Sequence, residues 1–119
     1  MHNFKELKVW QDSMKYCQSI YEITKRFPES ERFGLTNQMR RASVSIPSNI
    51  AEGTGRGSDK DFSKFISYSL GSSYELETQL LIAFDLEFIL QNDLNVLLDD
   101  LMRIQKMLNK FNEHLKSKS

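Results

Sequence analysis

The stretch that decides the fold runs from Leu35 to Gly53 and reads LTNQMRRASVSIPSNIAEG. Its apolar residues recur every three or four positions, as on one face of an α-helix, and the pattern keeps its phase through Pro47. A proline inside a helix costs about 3 kcal/mol, because it removes the hydrogen bond to the carbonyl four residues earlier. The stretch is therefore either a helix that breaks at Ile46 or one kinked helix that continues to Glu52, and the unbroken phase favours the kinked helix. The apolar positions are Leu35, Met39, Ala42, Ile46 and Ile50.

Three further stretches show the same helical period. The first ends before Pro28, which cannot continue a helix. The third opens at Ser58, which has Asp61 three residues later in the manner of a capping box, and the fourth follows Asn92, a good N-cap. Four helices joined by short links predict an all-α, antiparallel up-down four-helix bundle that forms a single domain over the whole chain, with a frayed tail over residues 116–119. The predicted helices cover residues 6–27, 31–53, 59–86 and 93–116.

Glycines interrupt the pattern at two places. The segment GTGRGS at residues 53–58 is the clearest loop, and its glycines are expected to end the second helix and to permit positive backbone angles. Gly71 lies instead in the middle of the third helix, where a glycine costs about 1 kcal/mol relative to alanine. The simplest reason for a glycine there is the close approach of another helix.

The composition excludes several classes of protein. The chain has 119 residues, 16 Lys and Arg against 16 Asp and Glu, and 39% hydrophobic residues, so it can bury a core but lacks the net charge of a strongly basic nucleic-acid binder. It has no apolar run of the roughly 18–20 residues that a membrane span needs, and its N-terminus lacks the apolar stretch of a signal peptide. Cys17 has no second cysteine to pair with and is expected to be buried as a small apolar residue. These features favour a soluble, cytoplasmic protein.

Residues with catalytic chemistry do not converge in the sequence. The two histidines, His2 and His114, lie near opposite ends of the chain, and neither belongs to the Glu-x-x-His pattern of di-iron bundles. One cysteine cannot provide a cysteine-rich zinc site, and the glycine segment lacks the Lys-Ser/Thr pair of a phosphate-binding loop. The sequence therefore predicts no enzyme activity, no metal site and no cofactor.

Acidic residues of the second and third helices leave one alternative open. A pocket that holds Glu52 with Glu75 would suit a carboxylate-based hydrolase. The favoured interpretation is an ion pair between neighbouring helices, in which Arg40 or Arg41 meets Glu75, because arginine suits bidentate carboxylate pairing. Asn49 is similarly expected to hydrogen-bond across to the serines of the third helix.

Basic residues gather in two patches despite the balanced total. Residues 61–100 carry one basic and eight acidic residues, whereas residues 1–60 carry ten and seven and residues 101–119 carry five and one. A basic patch can bind phosphates even on a neutral protein, and the alternatives are a solvated surface or pairing with the acidic third helix. The first patch is Lys25, Arg26, Arg32, Arg40, Arg41 and Arg56. The second patch is Arg103, Lys106, Lys110, Lys116 and Lys118.

Self-association is expected from apolar residues that lie near helix ends or off the main apolar stripes. A monomer would expose some of these residues, and exposed apolar patches above a few hundred Å² often mark interfaces. The residues are Phe4, Val9, Phe33 and Phe88.

Four segments form an unusual combination: FKELKVWQ (4–11), GLTNQMRRA (34–42), SIPSNIAEG (45–53) and ELETQL (75–80). Together they resemble a bacterial family of four-helix-bundle proteins, whose members include proteins encoded within intervening sequences of 23S rRNA genes. The accessory protein of diversity-generating retroelements looks like a relative, and the resemblance covers roughly residues 4–115. The residues that carry the motif are Ser45, Pro47, Asn49, Glu52, Gly53 and Glu75.

The resemblance implies a bundle that assembles into a homopentamer, with a basic face that engages nucleic acid and, in the retroelement proteins, a reverse transcriptase. Arg40, Arg41 and Arg56 match the family motif, and with Lys25 and Arg26 they are the candidate nucleic-acid contacts, although a role in holding the bundle together is equally open for the arginines. The predicted protein is thus a non-enzymatic, oligomeric bundle that binds RNA or DNA. The alternative is a protein-binding adaptor or assembly scaffold with no direct nucleic-acid contact.

Overall fold

Within residues 3–118, which the computed structural model describes, the chain folds into four long helices and contains no β-strand. Each helix packs against its two neighbours in the bundle, and no Cα atoms of the diagonal pairs lie within 8 Å of each other. The helices make a rod of 45 × 24 × 20 Å. This arrangement confirms the all-α four-helix bundle. The helices are α1 (Lys8–Thr24), α2 (Leu35–Thr54), α3 (Asp59–Asp85) and α4 (Gln91–Lys118).

The helix ends differ from the predicted ones by up to four residues. The start of α2 is the largest difference, because residues 29–31 form a separate 3-10 turn and the Glu31 carboxylate accepts the backbone N–H of Leu35 at 3.2 Å. Ser58 caps α3 as predicted, since its hydroxyl accepts the N–H of Asp61 at 3.1 Å. Asn92 is not a cap, because α4 already begins one residue earlier. The prediction of a frayed tail is also wrong as far as residue 118, because α4 continues to Lys118. Residue 119 lies outside the described residues.

Pro47 lies inside α2, which runs through it without a break, so the prediction of one continuous helix is confirmed. Hydroxyl groups of the neighbouring helix α3 form hydrogen bonds to the turn around the proline. The Ser69 hydroxyl donates to the carbonyl of Ile46 at 2.8 Å, and the hydroxyls of Ser72 and Ser45 lie 3.0 Å apart. Because a proline weakens the hydrogen bonding of its own helix, these contacts from α3 help to hold this turn in place.

Gly53 allows α2 and α3 to approach each other closely. A Cβ atom at this position would lie 2.7 Å from Cδ1 of Phe62 and 2.9 Å from Cβ of Phe65, which is too close for any side chain. The expected positive backbone angles are wrong, because no glycine among residues 3–118 has a positive φ. Glycine is needed at position 53 for space and not for backbone conformation. At Gly71 a Cβ atom would meet no other atom within 4 Å, so the close helix approach expected there does not occur inside the bundle.

The core is one apolar cluster to which all four helices contribute. Most of the apolar residues expected on the surface are buried or half-buried: Val9 is buried, Phe4 packs edge-on against Trp10 and Phe88 against Phe27. Phe33 alone of the four predicted residues is widely exposed, at 85%. Self-association stays a prediction, and within one copy Phe33 presents the most exposed side chain of the four. The largest fully buried apolar side chains are Ile20, Met39, Ile46, Ile50, Ile66, Leu76, Leu80, Leu101, Leu108 and Leu115.

Cys17 is half-buried and not fully enclosed, with its Sγ 3.5 Å from the Ser43 hydroxyl between α1 and α2. None of the helices within residues 3–118 combines the length and the hydropathy that crossing a bilayer requires.

Candidate nucleic-acid interface

The antiparallel fold turns a balanced sequence into a rod with a basic and an acidic half. The half that contains residues 3–16, 45–72 and 105–118 carries ten Lys and Arg against six Asp and Glu, an excess of four positive charges. The other half, residues 17–44 and 73–104, carries six against ten, an excess of four negative charges. A phosphate backbone would therefore be attracted to the first half.

Basic side chains of α1 and α4 meet on this half, on a surface that we call the terminal basic surface and define as Lys8, Lys106, Lys110 and His114. Lys106 and Lys110 are one helical turn apart, both are exposed, and neither makes an ion pair with a described residue. Lys8 forms a surface pair with Asp12 at 3.3 Å, which contributes little because both side chains contact solvent. The cations of this surface are therefore available for an anionic partner.

An apolar cavity of about 360 Å³ lies inside the terminal basic surface. Lys8, Lys110 and His114 line it together with apolar side chains, and no acidic residue lines it. Positively charged lysines beside an apolar surface attract a ligand that has both an anionic and an apolar part. The apolar lining residues are Leu7, Val9, Met107 and Phe111.

The fold does not bring the five predicted contact residues to one surface. Lys25 and Arg26 lie at the end of α1 in the acidic half, and Arg56 follows α2 in the basic half. Each of the three is already paired with a carboxylate: Lys25 with Glu22 at 3.0 Å, Arg26 with Asp93 at 3.2 Å and Arg56 with Glu52 at 2.9 Å. The Arg56 guanidinium also lies 4.5 Å from the ring centroid of Phe65.

Arg40 joins α2 to α1. Its Nε–H donates to the Thr24 hydroxyl at 2.9 Å, a terminal nitrogen donates to the Tyr21 carbonyl at 3.4 Å, and its guanidinium lies 4.7 Å from the Tyr21 ring centroid. The side chain is half-buried. These contacts support a structural role for Arg40 within the bundle.

The expected ion pair with Glu75 is not formed. Arg40 points to α1, Arg41 is exposed with no ion pair to a described residue, and Glu75 accepts a hydrogen bond from its neighbour Gln79 at 3.2 Å. The reason is competition: the Thr24 hydroxyl, the Tyr21 carbonyl and the Tyr21 ring offer Arg40 three contacts on α1, the other neighbour of α2. Glu52 pairs with Arg56 on its own side of the molecule and shares no contact with Glu75, so the carboxylate site of the hydrolase alternative is not assembled.

Asn49 also bonds differently from the prediction. Its amide donates to the carbonyl and the hydroxyl of Ser45, at 2.9 and 3.0 Å, within α2. The Ser72 hydroxyl of α3 contacts the same Ser45 hydroxyl. Ser45, and not Asn49, is therefore the residue of α2 whose side chain contacts a serine of α3 here. Within the described part of the chain, no group of three or more His, Cys, Asp or Glu side chains is placed to hold a metal ion.

Sequence reasoning named Lys106 and Lys110 as part of the second basic patch but missed Lys8 and the cavity. Lys8 is about 100 residues away in the chain, and no local spacing links it to α4. The only available signal was the up-down topology itself, which places the start of α1 beside the end of α4.

Replacing Arg40 with glutamine is expected to lower the melting temperature by roughly 3–6 °C, since the lost stacking and hydrogen bonds are together worth about 1 kcal/mol. Arg41→Gln is the matched control and should melt as the wild type does, because the Arg41 side chain is exposed and unpaired. Thermal unfolding followed by circular dichroism measures both. Equal melting temperatures for the two variants would show that Arg40 does not hold the bundle together.

The helices, the closely packed α2–α3 contact and the surface that α1 and α4 form together define a small all-α helical-bundle protein. The chain belongs to the family of the 23S rRNA-intervening sequence protein, whose model matches residues 5–110. It is similar to the crystal structure of a protein of unknown function from the S23 ribosomal protein family of Bacteroides thetaiotaomicron, with 25% identity, a TM-score of 0.81, and coverage of 87% of this chain and 97% of that one. No curated protein matches the sequence. The family suggested by the four sequence segments is confirmed.

Proposed function

We propose that the chain is a non-enzymatic bundle that associates with copies of itself and binds RNA or DNA through the terminal basic surface. The observation that carries the proposal is the pair of exposed, unpaired lysines Lys106 and Lys110 on the basic half of the rod, of which Lys110 lines the same cavity as Lys8. The number of copies implied by the family resemblance is five.

Electrostatics explain how a neutral protein would bind a polyanion. The acidic residues that cancel the total charge lie mainly in the other half of the rod, and charges more than about 8–10 Å apart are largely screened at physiological salt. A phosphate close to Lys106 and Lys110 therefore experiences the local positive charge and not the molecular net charge. Each phosphate contact releases a condensed counterion, which gives the affinity its dependence on salt.

The experiment compares the binding of labelled single- and double-stranded RNA and DNA by fluorescence anisotropy at salt concentrations from about 0.05 to 0.2 M. The combined variant Lys8→Gln, Lys106→Gln, Lys110→Gln is expected to bind at least about tenfold more weakly. The slope of log affinity against log salt should fall by about 2–3, because each lost contact with a duplex contributes about 0.9.

A matched variant removes three cations from the acidic half: Lys25→Gln, Arg26→Gln and Arg32→Gln. It is expected to keep the wild-type salt slope, since those cations already pair with Glu22, Asp93 and Glu29. If the wild type binds no nucleic acid at low salt, the nucleic-acid role is wrong and the adaptor interpretation replaces it. If the two triple variants weaken binding equally, the assignment to the terminal basic surface is wrong.

A further inference from the structure

Two cavities flank the C-terminal half of α4, one on each side. The first is the cavity of the terminal basic surface, between the start of α1 and α4. The second, of about 330 Å³, lies between the start of α3 and the end of α4. Both belong to the basic half of the rod, and both have the size of common ligand sites, which is about 300–1,000 Å³. We call the second one the α3–α4 cavity: Lys60, Ser63, Lys64, Ser67, Tyr68 and Lys116.

A ridge of α4 separates the two cavities. Met107 lines the first and Lys116 the second. Lys116 follows Met107 by about two and a half helical turns, so the two side chains leave α4 on opposite sides. Lys106 and Lys110 are exposed on the outward side of the helix between them. A ligand that reaches both cavities must therefore cross a helix of about 10–12 Å in diameter, over these two lysines.

Neither of the two cavities is lined by an acidic residue. The cavities in the groove between α1 and α4, in contrast, have carboxylates among their lining residues: Asp12 and Asp100 in one, Glu22 and Asp93 in the other. The first turn of α1, which begins at the first cavity, also carries no acidic residue, so the partial positive charge of the helix end adds to that of Lys8. Both cavities therefore attract an anionic ligand.

The lysines of the α3–α4 cavity are available for such a ligand. Lys60 is exposed and forms no ion pair with a described residue. Lys64, one turn further along α3, is also exposed and lies 3.8 Å from Asp61. A surface pair of this kind contributes little and is easily exchanged for another anion.

Each cavity also offers a ring on which a nucleobase can stack. Tyr68 is 55% exposed in the α3–α4 cavity, and its ring packs against Phe65 with 5.4 Å between the centroids, so it is held in place and is still accessible. In the first cavity, Phe111 is half-buried and His114 is exposed. Tyrosine, phenylalanine and histidine are among the side chains on which proteins stack unpaired bases.

We propose that a single strand of RNA or DNA crosses the C-terminal half of α4, with its phosphates on Lys106 and Lys110 and an unpaired base in each of the two cavities. The inference rests on the nucleic-acid binding proposed above and names the class of nucleic acid, which is single-stranded. It also assigns the α3–α4 cavity as a base site.

Other anionic ligands fit the two cavities less well. The bases of a duplex are paired and stacked inside it, so a duplex would contact the lysines and leave the rings of both cavities uncovered. A small amphipathic anion would occupy one cavity and would not use the lysines between them. A single strand supplies phosphates and free base faces along one chain, and stacking accepts every base, so little dependence on sequence is expected.

Strands without bases separate stacking from charge. Labelled single strands of DNA and of RNA, of about 12 nucleotides, are compared by fluorescence anisotropy with strands of the same length in which every base is absent. The number of phosphates is then unchanged. At about 0.15 M salt, the base-bearing strand of at least one type is expected to bind the wild type at least about tenfold more tightly than its base-free counterpart. It is also expected to bind more tightly than a duplex of the same length.

Tyr68→Leu tests the α3–α4 cavity. It removes the ring but keeps the charges, so the affinity ratio of base-bearing to base-free strands is expected to fall at least about fivefold, with base-free binding unchanged. Tyr74→Leu is the matched control, because Tyr74 is similarly exposed on the same helix, at 49%, and lines neither cavity. This control should keep the wild-type ratio. Equal ratios for the two variants would show that the α3–α4 cavity holds no base.

Met107→Gln tests the first cavity in the same way. It replaces an apolar lining side chain by a polar one of similar length, and the ratio is expected to fall about twofold or more, because contacts of the methionine sulfur with a ring are lost. Met102→Gln is the control on the same helix, since Met102 is 51% exposed and lines neither cavity. A partly unfolded variant would not mislead, because unfolding lowers the apparent affinity for both strands equally.

The outcomes separate this inference from the proposed function. A wild type that binds no strand at about 0.05 M salt overturns the nucleic-acid role and the base sites together. Equal binding of base-bearing and base-free strands of both types, or tighter binding of the duplex, overturns the base sites alone and leaves binding through phosphates. If only one of Tyr68→Leu and Met107→Gln lowers the ratio, the strand does not cross α4 from one cavity to the other.

Discussion

Replacing Gly53 with alanine is expected to lower the melting temperature by roughly 5–15 °C, although alanine is the better helix former. The added methyl group would lie 2.7 Å from the Phe62 ring and 2.9 Å from Cβ of Phe65. Phe62 is buried and its ring packs 5.2 Å from that of Phe111, and a Cβ atom cannot move without its backbone. Neither neighbour can give way, so α2 and α3 must separate, and overpacking of this kind costs about 1–3 kcal/mol.

Gly57→Ala is the control for Gly53→Ala. A Cβ atom at position 57 meets nothing within 4 Å, and no glycine among residues 3–118 has a positive φ, so alanine fits there without strain. Both variants are melted side by side under the same conditions. If Gly53→Ala melts at the same temperature as Gly57→Ala and the wild type, then α2 and α3 are not as closely packed as the structure places them.

Inner apolar seams were sufficient to predict the bundle. The phase of the α2 pattern passes through Pro47, and the structure has one continuous helix there, because burial of a whole apolar face outweighs the loss of one backbone hydrogen bond. Helix ends were predicted less well, as at Leu35, where a separate 3-10 turn precedes the helix. Helix ends depend on a few hydrogen bonds of small net energy, whereas the apolar face of a helix is stabilised by the burial of many side chains together.

Side-chain partners were harder to predict than helices. An arginine on α2 has two neighbouring helices, and the sequence indicates neither which one it will contact nor which acceptors lie there. Arg40 or Arg41 was expected to meet Glu75 of α3, but Arg40 contacts Tyr21 and Thr24 of α1. The sequence indicated only part of the terminal basic surface, for a related reason. Lys8 and Lys110 come to line one cavity only because α1 and α4 pack side by side in the bundle.

Tyr16 is expected to make the protein lose stability in alkali. The ring is buried between α1 and α4, and its hydroxyl donates to the carbonyl of Leu97 at 2.7 Å. Burial raises the pKa of this hydroxyl far above its usual range, and the nearby Asp100 and Glu77 carboxylates raise it further. In the unfolded chain the same phenol ionises near pH 10. Its contribution to stability is therefore complete below about pH 10 and decreases above it by up to about 1.4 kcal/mol per pH unit.

Tyr16→Phe removes this titration together with the hydrogen bond. At neutral pH the variant should be about 1 kcal/mol less stable than the wild type, and its free energy of unfolding should equal that of the wild type near pH 11, because only the wild type loses the contribution of the phenol. Urea unfolding at a series of pH values from about 7 to 11 measures the difference in free energy of unfolding between the two proteins. Deprotonation of lysines does not contribute to this difference, because both proteins carry the same lysines.

Ile20→Val is the matched control for Tyr16→Phe. Residue 20 is fully buried one turn further along α1, and the substitution costs a similar 0.5–1.5 kcal/mol, roughly, without removing a titratable group. Its stability should remain below that of the wild type by the same amount at every pH. If the difference between the wild type and Tyr16→Phe is equally constant, then water reaches the phenol in the folded protein, and the α1–α4 contact is more open than the hydrogen bond to Leu97 indicates.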